Sequence, residues 1–339
     1  FFSKDLIKYH ITEDTKVVNE KDEILAVYKK NAVSKNILNN CRLSFRKAAG
    51  ESNNRGLASG LIGQKYKVGD KIGGRTIGRI DGTRYTPINL KDGKLSNTSY
   101  ALTVNSGLMG FSDRYPRIPY CRSTMYNQRN FQGFKKCLPY IKCVDNFFKE
   151  YAPKRYNIQK KMVENTSQDF VIKDTAFSTV TVNKNFRTAG HYDNGDLKEG
   201  FGNLGVISTG KYEGGITVIP KYGIGLDLKD GDLAIFDVHE LHGNTELIRK
   251  GYYERISVVC YYREKMIYCG SKEYELNRAK TETKKIALPE ELKMIYCGNA
   301  EYELKRAKTN TKKTALPEEL ERAKKIKESI LNENMHTDL

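Results

Sequence analysis

His191-Tyr192-Asp193-Asn194-Gly195-Asp196 is the stretch on which the reading of the chain turns. A histidine and a carboxylate two residues apart on an extended segment project from the same face, because side chains along a strand alternate with period two. They make half of a metal site. The other half requires a second histidine returned by the fold, and His242, in Leu241-His242-Gly243-Asn244, lies 49 residues after Asp193. Two imidazoles and one carboxylate on one face leave three coordination positions open, the facial arrangement of non-haem Fe(II) oxygenases. Arg255 follows thirteen residues beyond His242 and opens the alternating run Arg255-Ile256-Ser257-Val258-Val259. That alternation sets a planar guanidinium beside the metal, suited to a carboxylate gripped in two places. His239 competes for the second imidazole position, but three residues from His242 on a strand it faces the opposite side.

Outward from these residues the sequence predicts strands at 170–182, 205–208, 215–220, 225–228, 233–237 and 255–262. Short strands at close spacing with Gly-rich turns predict an antiparallel jelly roll, a double-stranded β-helix within an α+β chain. The two metal-binding segments then come from facing strands. Gly214-Gly215 and Asp230-Gly231 read as hairpin turns. Upstream, apolar residues at 138, 141, 144, 147 and 148 mark one face of a helix, and Pro153 precedes a second helix over 156–165.

Several segments together resemble the TET and J-binding-protein family of Fe(II)/2-oxoglutarate dioxygenases: Ser178-Thr-Val-Thr-Val-Asn183, Phe186-Arg-Thr-Ala-Gly-His191, Tyr212-Glu-Gly-Gly215, Asp230-Gly-Asp232, His239-Glu-Leu-His-Gly-Asn244 and Arg255-Ile-Ser-Val-Val259. The likeness extends to Asn53-Asn-Arg-Gly-Leu-Ala-Ser-Gly60 and Arg117-Ile-Pro-Tyr-Cys-Arg122. It implies that His191, Asp193 and His242 bind Fe(II), that Arg255 holds the distal carboxylate of 2-oxoglutarate with help from Arg187, and that Asp196 and Tyr261 meet the target base. At Arg263 the chain departs from the family, which often has a histidine for the base edge, so 5-methylcytosine and thymine both stand as targets. The implied partner is DNA, flipped or single-stranded, or RNA. An ascorbate-using variant of the chemistry and a nucleic-acid-binding protein with an inactive barrel are the alternatives.

Composition is compatible with this. The 339 residues are 39% apolar, enough for one large domain with appendages, and no run reaches the 18 apolar residues of a membrane span. The seven cysteines, an odd number without paired CxxC spacing, predict free thiols in a reducing compartment, nucleus or cytoplasm. A virus would fit the compact domain as host, and a monomer is expected. The net charge of +17 is uneven: residues 264–339 hold 16 Lys and Arg against 14 Asp and Glu, leaving 42 against 27 on residues 1–263. A basic surface around the site favours polyanions through counterion release.

Three divisions follow: an N-terminal elaboration (1–110), the core with its preceding loop and helices (111–263), and a tail (264–339). In the first, residues 24–28 have near-helical apolar spacing, residues 53–60 suit a loop that cradles a phosphate, and glycines at 69, 73, 74, 78 and 82 punctuate hairpins of an outer sheet. The 111–130 loop, stiffened by Pro116 and Pro119, interleaves arginine and tyrosine, with Arg114, Arg117 and Arg122 expected at substrate phosphates. The tail contains a tandem 28-residue repeat, 265–292 and 293–320, identical at 23 positions, and reads as short helices on an exposed appendage, one starting at Leu316-Pro317.

Overall fold

The computed structural model describes residues 1–115, 118–281 and 315–336. Arg117 and residues 282–314, which include most of the second repeat, lie outside them. β-Branched and aromatic runs bounded by turn residues give strands β1 (Tyr9–Ile11), β2 (Thr15–Val18) and β3 (Ile24–Lys29). The near-helical spacing at 24–28 is thus overturned. Val27 packs on one side of the sheet and Ala26 and Tyr28 on the other, and a strand buried on both faces loses its alternation. Helix α1 (Lys35–Ala48) follows, capped by the Ser34 hydroxyl, which accepts from the Ile37 amide at 3.5 Å, and then β4 (Glu51–Ser52).

The glycine-punctuated region forms the expected small sheet: β5 (Lys71–Ile72), β6 (Arg75–Asp81), β7 (Arg84–Pro87) and β8 (Tyr100–Ala101), over its own core of Ile62, Ile77 and Tyr85. Next come β9 (Val104–Ser112), β10 (Arg122–Ser123), α2 (Met125–Arg129), α3 (Phe131–Tyr151) and α4 (Pro153–Glu164). Pro153 opens α4 at a position whose amide needs no helical partner. The remaining strands are β11 (Thr179–Lys184), β12 (Gly202–Gly214), β13 (Thr217–Ile219), β14 (Ile224–Leu226), β15 (Leu233–Phe236), β16 (Gly243–Asn244) and β17 (Leu247–Tyr261), followed by α5 (Lys272–Thr281) and α6 (Pro317–His336).

Among the described residues the major sheet runs β10-β9-β11-β17-β12-β15-β3-β2, with β4 on β9, and a minor sheet runs β1-β14-β13-β16. Apolar residues of the minor sheet (Ile219, Ile224, Leu226) meet Leu204, Val206 and Phe236 of the major one, closing a double-stranded β-helix. On the outer face of the major sheet, α1 and α3 bury Phe45, Tyr140 and Phe148 against Val180, Val182, Ile207 and Val258. Residues before 111 are therefore not laid on a finished core. They supply β2, β3 and β9 to the major sheet, and β1 pairs in parallel with β14.

The tail is not a free appendage either. Glu275 of α5 and Glu319 of α6 both pair with Arg114, which is 1% exposed. Ala323 and Ile330 of α6 join a core with Met162, Tyr262 and Ile267. Cys121 and Cys269 form a disulfide across 148 residues, with Cα atoms 5.8 Å apart, so the expectation of free thiols fails for this pair. Cys41, Cys137, Cys143 and Cys260 are free, and burial pushes their thiols up. No helix among the described residues is long and apolar enough to cross a membrane.

Candidate active site

Strand β17 sorts its side chains by parity. Ile256, Val258 and Cys260 face the helices, while Arg255, Ser257, Val259 and Tyr261 line a cavity of about 420 Å³ inside the β-helix. On neighbouring β11 the same rule turns Val180 and Val182 outward and Thr181 and Asn183 inward. The cavity is closed from the other side by the segments carrying His191 and His242.

These two histidines are side by side rather than on facing strands. Each donates its backbone N–H to the other's carbonyl, at 2.9 and 3.1 Å, in an isolated antiparallel bridge. Gly243 permits it, since a Cβ there would stand 2.9 Å from the Ala189 carbonyl oxygen. The Nδ1 of His191 lies 2.8 Å from the Ala189 carbonyl and that of His242 2.9 Å from the Glu240 carbonyl. A carbonyl only accepts, so both Nδ1 atoms carry the proton and both Nε2 atoms present lone pairs. Between them sits the Asp193 carboxylate, its two oxygens each 3.6 Å from one Nε2. The ligand atoms of the three residues all lie within 4.8 Å of one another, and no other such cluster occurs among the described residues.

Electrostatics prepare these groups for a cation. Burial, reinforced by His242, holds the His191 imidazole below its usual range and therefore neutral near pH 7. Burial works against the Asp193 anion, and it is positive charge at this spot that keeps the carboxyl below the usual range: a proton on a neighbouring imidazole does so, and a divalent cation would take the place of that proton. Neutral imidazoles with an ionised carboxylate are the donor set a divalent iron takes. His239 is engaged elsewhere, with Asp237 at 3.2 Å and the Asp196 carbonyl at 3.2 Å.

Arg255 lies on the same cavity wall. Its Nη2 donates to the Gly215 carbonyl at 3.1 Å, whereas its Nε is buried without a partner. Gly215, read from sequence only as a turn, has φ +68, and a Cβ on it would crowd that Nε at 3.3 Å. A buried guanidinium with an orphaned donor fits a carboxylate entering the cavity. Asn244, which spacing alone did not single out, donates to Gly215 and Thr217 and fixes this corner.

Asp196, Tyr261 and Arg263 also line the cavity. Burial, followed by the charge of Asp193, pushes the Asp196 carboxyl well up. Tyr261 shares a 3.0 Å hydroxyl contact with Thr181, and burial pushes its phenol up to about 12. Arg263 is held by Asp113 through Nε at 2.7 Å and Nη2 at 3.3 Å. Arg55, from the 53–60 segment, adds a half-buried guanidinium whose Nε has no partner.

Two expectations are corrected. Arg187 is not at the cosubstrate: Phe186 and Thr188 line the cavity, so Arg187 points the other way, donating to the Phe2 carbonyl at 3.1 Å and lying 4.5 Å over the Phe1 ring. Arg114 is not a substrate contact, because it is consumed by Glu275 and Glu319 in the interior. Arg122 lies outside the cavity, 5.0 Å over the Tyr115 ring, and Arg117 falls outside the described residues.

Comparisons with known proteins agree with this geometry. A family model, Tet_JBP, described as the oxygenase domain of the 2OGFeDO superfamily, matches residues 109–264. The bifunctional helicase and thymine dioxygenase JBP2 of Leishmania tarentolae is 38% identical over 169 residues, covering 49% of this chain and 15% of that protein. Thymine dioxygenase JBP1 of Trypanosoma brucei brucei is 34% identical over 168 residues, 48% of this chain and 19% of that one. The chain thus spans less than a fifth of the length of either relative. Among solved structures, NgTET1 in complex with 5mC DNA shares the fold, with a TM-score of 0.51 at 10% identity, covering 79% of this chain and 84% of that one. The His-Asp-His cluster and the facing arginine thus all fall within residues 109–264, the segment that is similar to Tet_JBP, the oxygenase domain of the 2OGFeDO superfamily.

Proposed function

We propose that the chain is an Fe(II)- and 2-oxoglutarate-dependent dioxygenase that oxidises the 5-methyl group of a pyrimidine in DNA, with thymine as the base. The observation that supports this most is the His191-Asp193-His242 cluster in one cavity with Arg255, whose buried Nε lacks a partner. His191, Asp193 and His242 would hold Fe(II), and Arg255 would grip the distal carboxylate of 2-oxoglutarate. With dioxygen these groups supply conversion of the methyl to a hydroxymethyl, while 2-oxoglutarate becomes succinate and carbon dioxide.

The protein's own part is positional. The Ala189 and Glu240 carbonyls fix both imidazole tautomers, and the β-helix walls exclude water. A methyl inside a stacked duplex cannot come to a cluster enclosed within the β-helix cavity, so on this reading the base enters extruded or from a single strand. Tyr261 offers an aromatic wall. Arg263, kept in place by Asp113, presents only donors, which suit the O4 carbonyl of thymine where 5-methylcytosine has an amino group. The relatives named thymine dioxygenases point the same way. Arg55 is available to an anion entering with the substrate or cosubstrate.

The test is incubation of the protein with Fe(II), 2-oxoglutarate and ascorbate on DNA containing thymine and 5-methylcytosine, followed by nucleoside mass spectrometry. Hydroxymethyluracil that disappears with His242→Ala and without 2-oxoglutarate is expected. Hydroxymethylcytosine instead would move the base assignment, product persisting without 2-oxoglutarate would indicate ascorbate chemistry, and no product from iron-loaded protein would refute the reading.

A further inference from the structure

Residues 62–103 carry eight Lys and Arg against three Asp. Elsewhere many cations are neutralised within the fold, as Lys30 is by Glu13, Lys35 by Asp230 and Arg46 by Glu254. None of the eight has a carboxylate partner among the described residues. Lys65, Lys67, Lys71, Arg75, Arg79 and Arg84 are exposed, with two further lysines in the turn before β8. Of the acids, Asp70 is occupied by the Lys67 backbone amide at 2.9 Å. Self-repulsion among unpaired like charges is a cost, and it is relieved by a polyanion.

The position of this charge gives it meaning. The small sheet β5–β8 is rooted at the cavity rim at both ends: Leu57 and Ala58, which line the cavity, lead into it, and it leaves through β9, where Ser106 bonds the cavity residue Asn183. Its core of Ile62, Ile77 and Tyr85 makes it a stiff platform rather than a loop. Strand β6, seven residues long, spans about 20 Å, comparable with roughly six phosphates of one DNA strand. Apolar Leu57 at the rim and Leu90, which is 93% exposed, lie among or beside the cations.

We propose that the β5–β8 sheet is a DNA-backbone clamp that holds the phosphates flanking the target nucleotide while the base occupies the cavity. It rests on the reading of DNA as substrate, lies outside the 109–264 family match, and is an electrostatic contact that positions without reading sequence.

The experiment measures binding of the full chain to a labelled DNA duplex, and to a single strand of the same length, by fluorescence anisotropy across a salt series. The variant is Lys67→Gln/Lys71→Gln/Arg79→Gln. Three lost phosphate contacts should weaken binding at low salt on the order of ten- to a hundred-fold and reduce the log–log salt slope by about 2 to 3. Binding of Fe(II) and 2-oxoglutarate should be unchanged, and Lys67→Arg/Lys71→Arg/Arg79→Lys should restore both affinity and slope. Equal affinity and slope in wild type and glutamine variant would overturn the clamp, as would a slope change confined to an RNA duplex. Salt-dependent DNA binding lost in the variant, together with no oxidised nucleoside from wild type, would leave the clamp standing and remove the proposed activity.

Discussion

Arg255 shows how much one side chain is asked to do. Its Nη2 is anchored on the Gly215 carbonyl and its Nε has no partner, so the fork is already oriented for the carboxylate that we propose it binds. Removing a charge-assisted pair of hydrogen bonds costs about 1.5–3 kcal/mol, so Arg255→Ala should raise the 2-oxoglutarate KM roughly ten- to a hundred-fold with iron content unchanged. Arg255→Lys should recover only part of the loss, because an ammonium cannot reproduce the fork. Steady-state titration of 2-oxoglutarate checks both; an unchanged KM in Arg255→Ala would remove the residue from the cosubstrate site. The parity that makes Arg255 legible in the sequence also excludes Arg187. Phe186 and Thr188 face the cavity, and a resemblance at position 187 does not override the alternation.

Among the elements, the docking of α5 and α6 was least visible in advance. The 111–130 loop reads as a nucleic-acid contact because it interleaves arginine and tyrosine, and nothing local in that sequence shows that Arg114 finds its partners 161 and 205 residues away. The same holds for Cys121, whose partner lies 148 residues on, beyond any CxxC spacing. Glu275 further accepts from the Cys121 amide at 2.7 Å, so disulfide and ion pairs grip one short segment. Arg114→Leu would leave buried Glu275 without its cation and Glu319 with only Arg278 at 3.9 Å, and breaking such a buried pair costs about 3–5 kcal/mol. A large drop in melting temperature is expected, against none if the helices dock only weakly. Reduction of the disulfide releases a long loop in the unfolded chain, a loss of roughly 2–5 kcal/mol. Thermal melts with and without reductant should therefore differ in wild type and coincide in Cys121→Ser. By contrast, α3, α4, β12, β13, β14 and β15 overlap the segments that periodicity and Gly-rich turns predict, whereas the expected strand over 170–182 begins only at Thr179, β17 begins at Leu247 rather than 255, and the two-residue β16 is too short to leave a pattern.

At the scale of the whole molecule, one β-helix gathers residues 191, 193, 242 and 255 around a single cavity, while the surplus of positive charge lies outside the tail. The order His, Asp, His, Arg was readable from spacing, and the inward direction of Arg255 because strand β17 enforces period two, whereas the two histidines meet in an isolated bridge outside the strands. Asp113, Arg55 and Asn244 were not readable, because their contacts to the cavity depend on how β9, the 53–60 segment and β16 are brought to it. An anaerobic optical titration of the protein with Fe(II) and 2-oxoglutarate tests the gathered centre most directly. A visible charge-transfer band that saturates at one iron per chain, vanishes in His242→Ala and needs far more 2-oxoglutarate in Arg255→Ala is the expected result. Folded wild-type protein that develops no such band, or a band indifferent to both substitutions, would contradict the assignment of these residues to iron and cosubstrate.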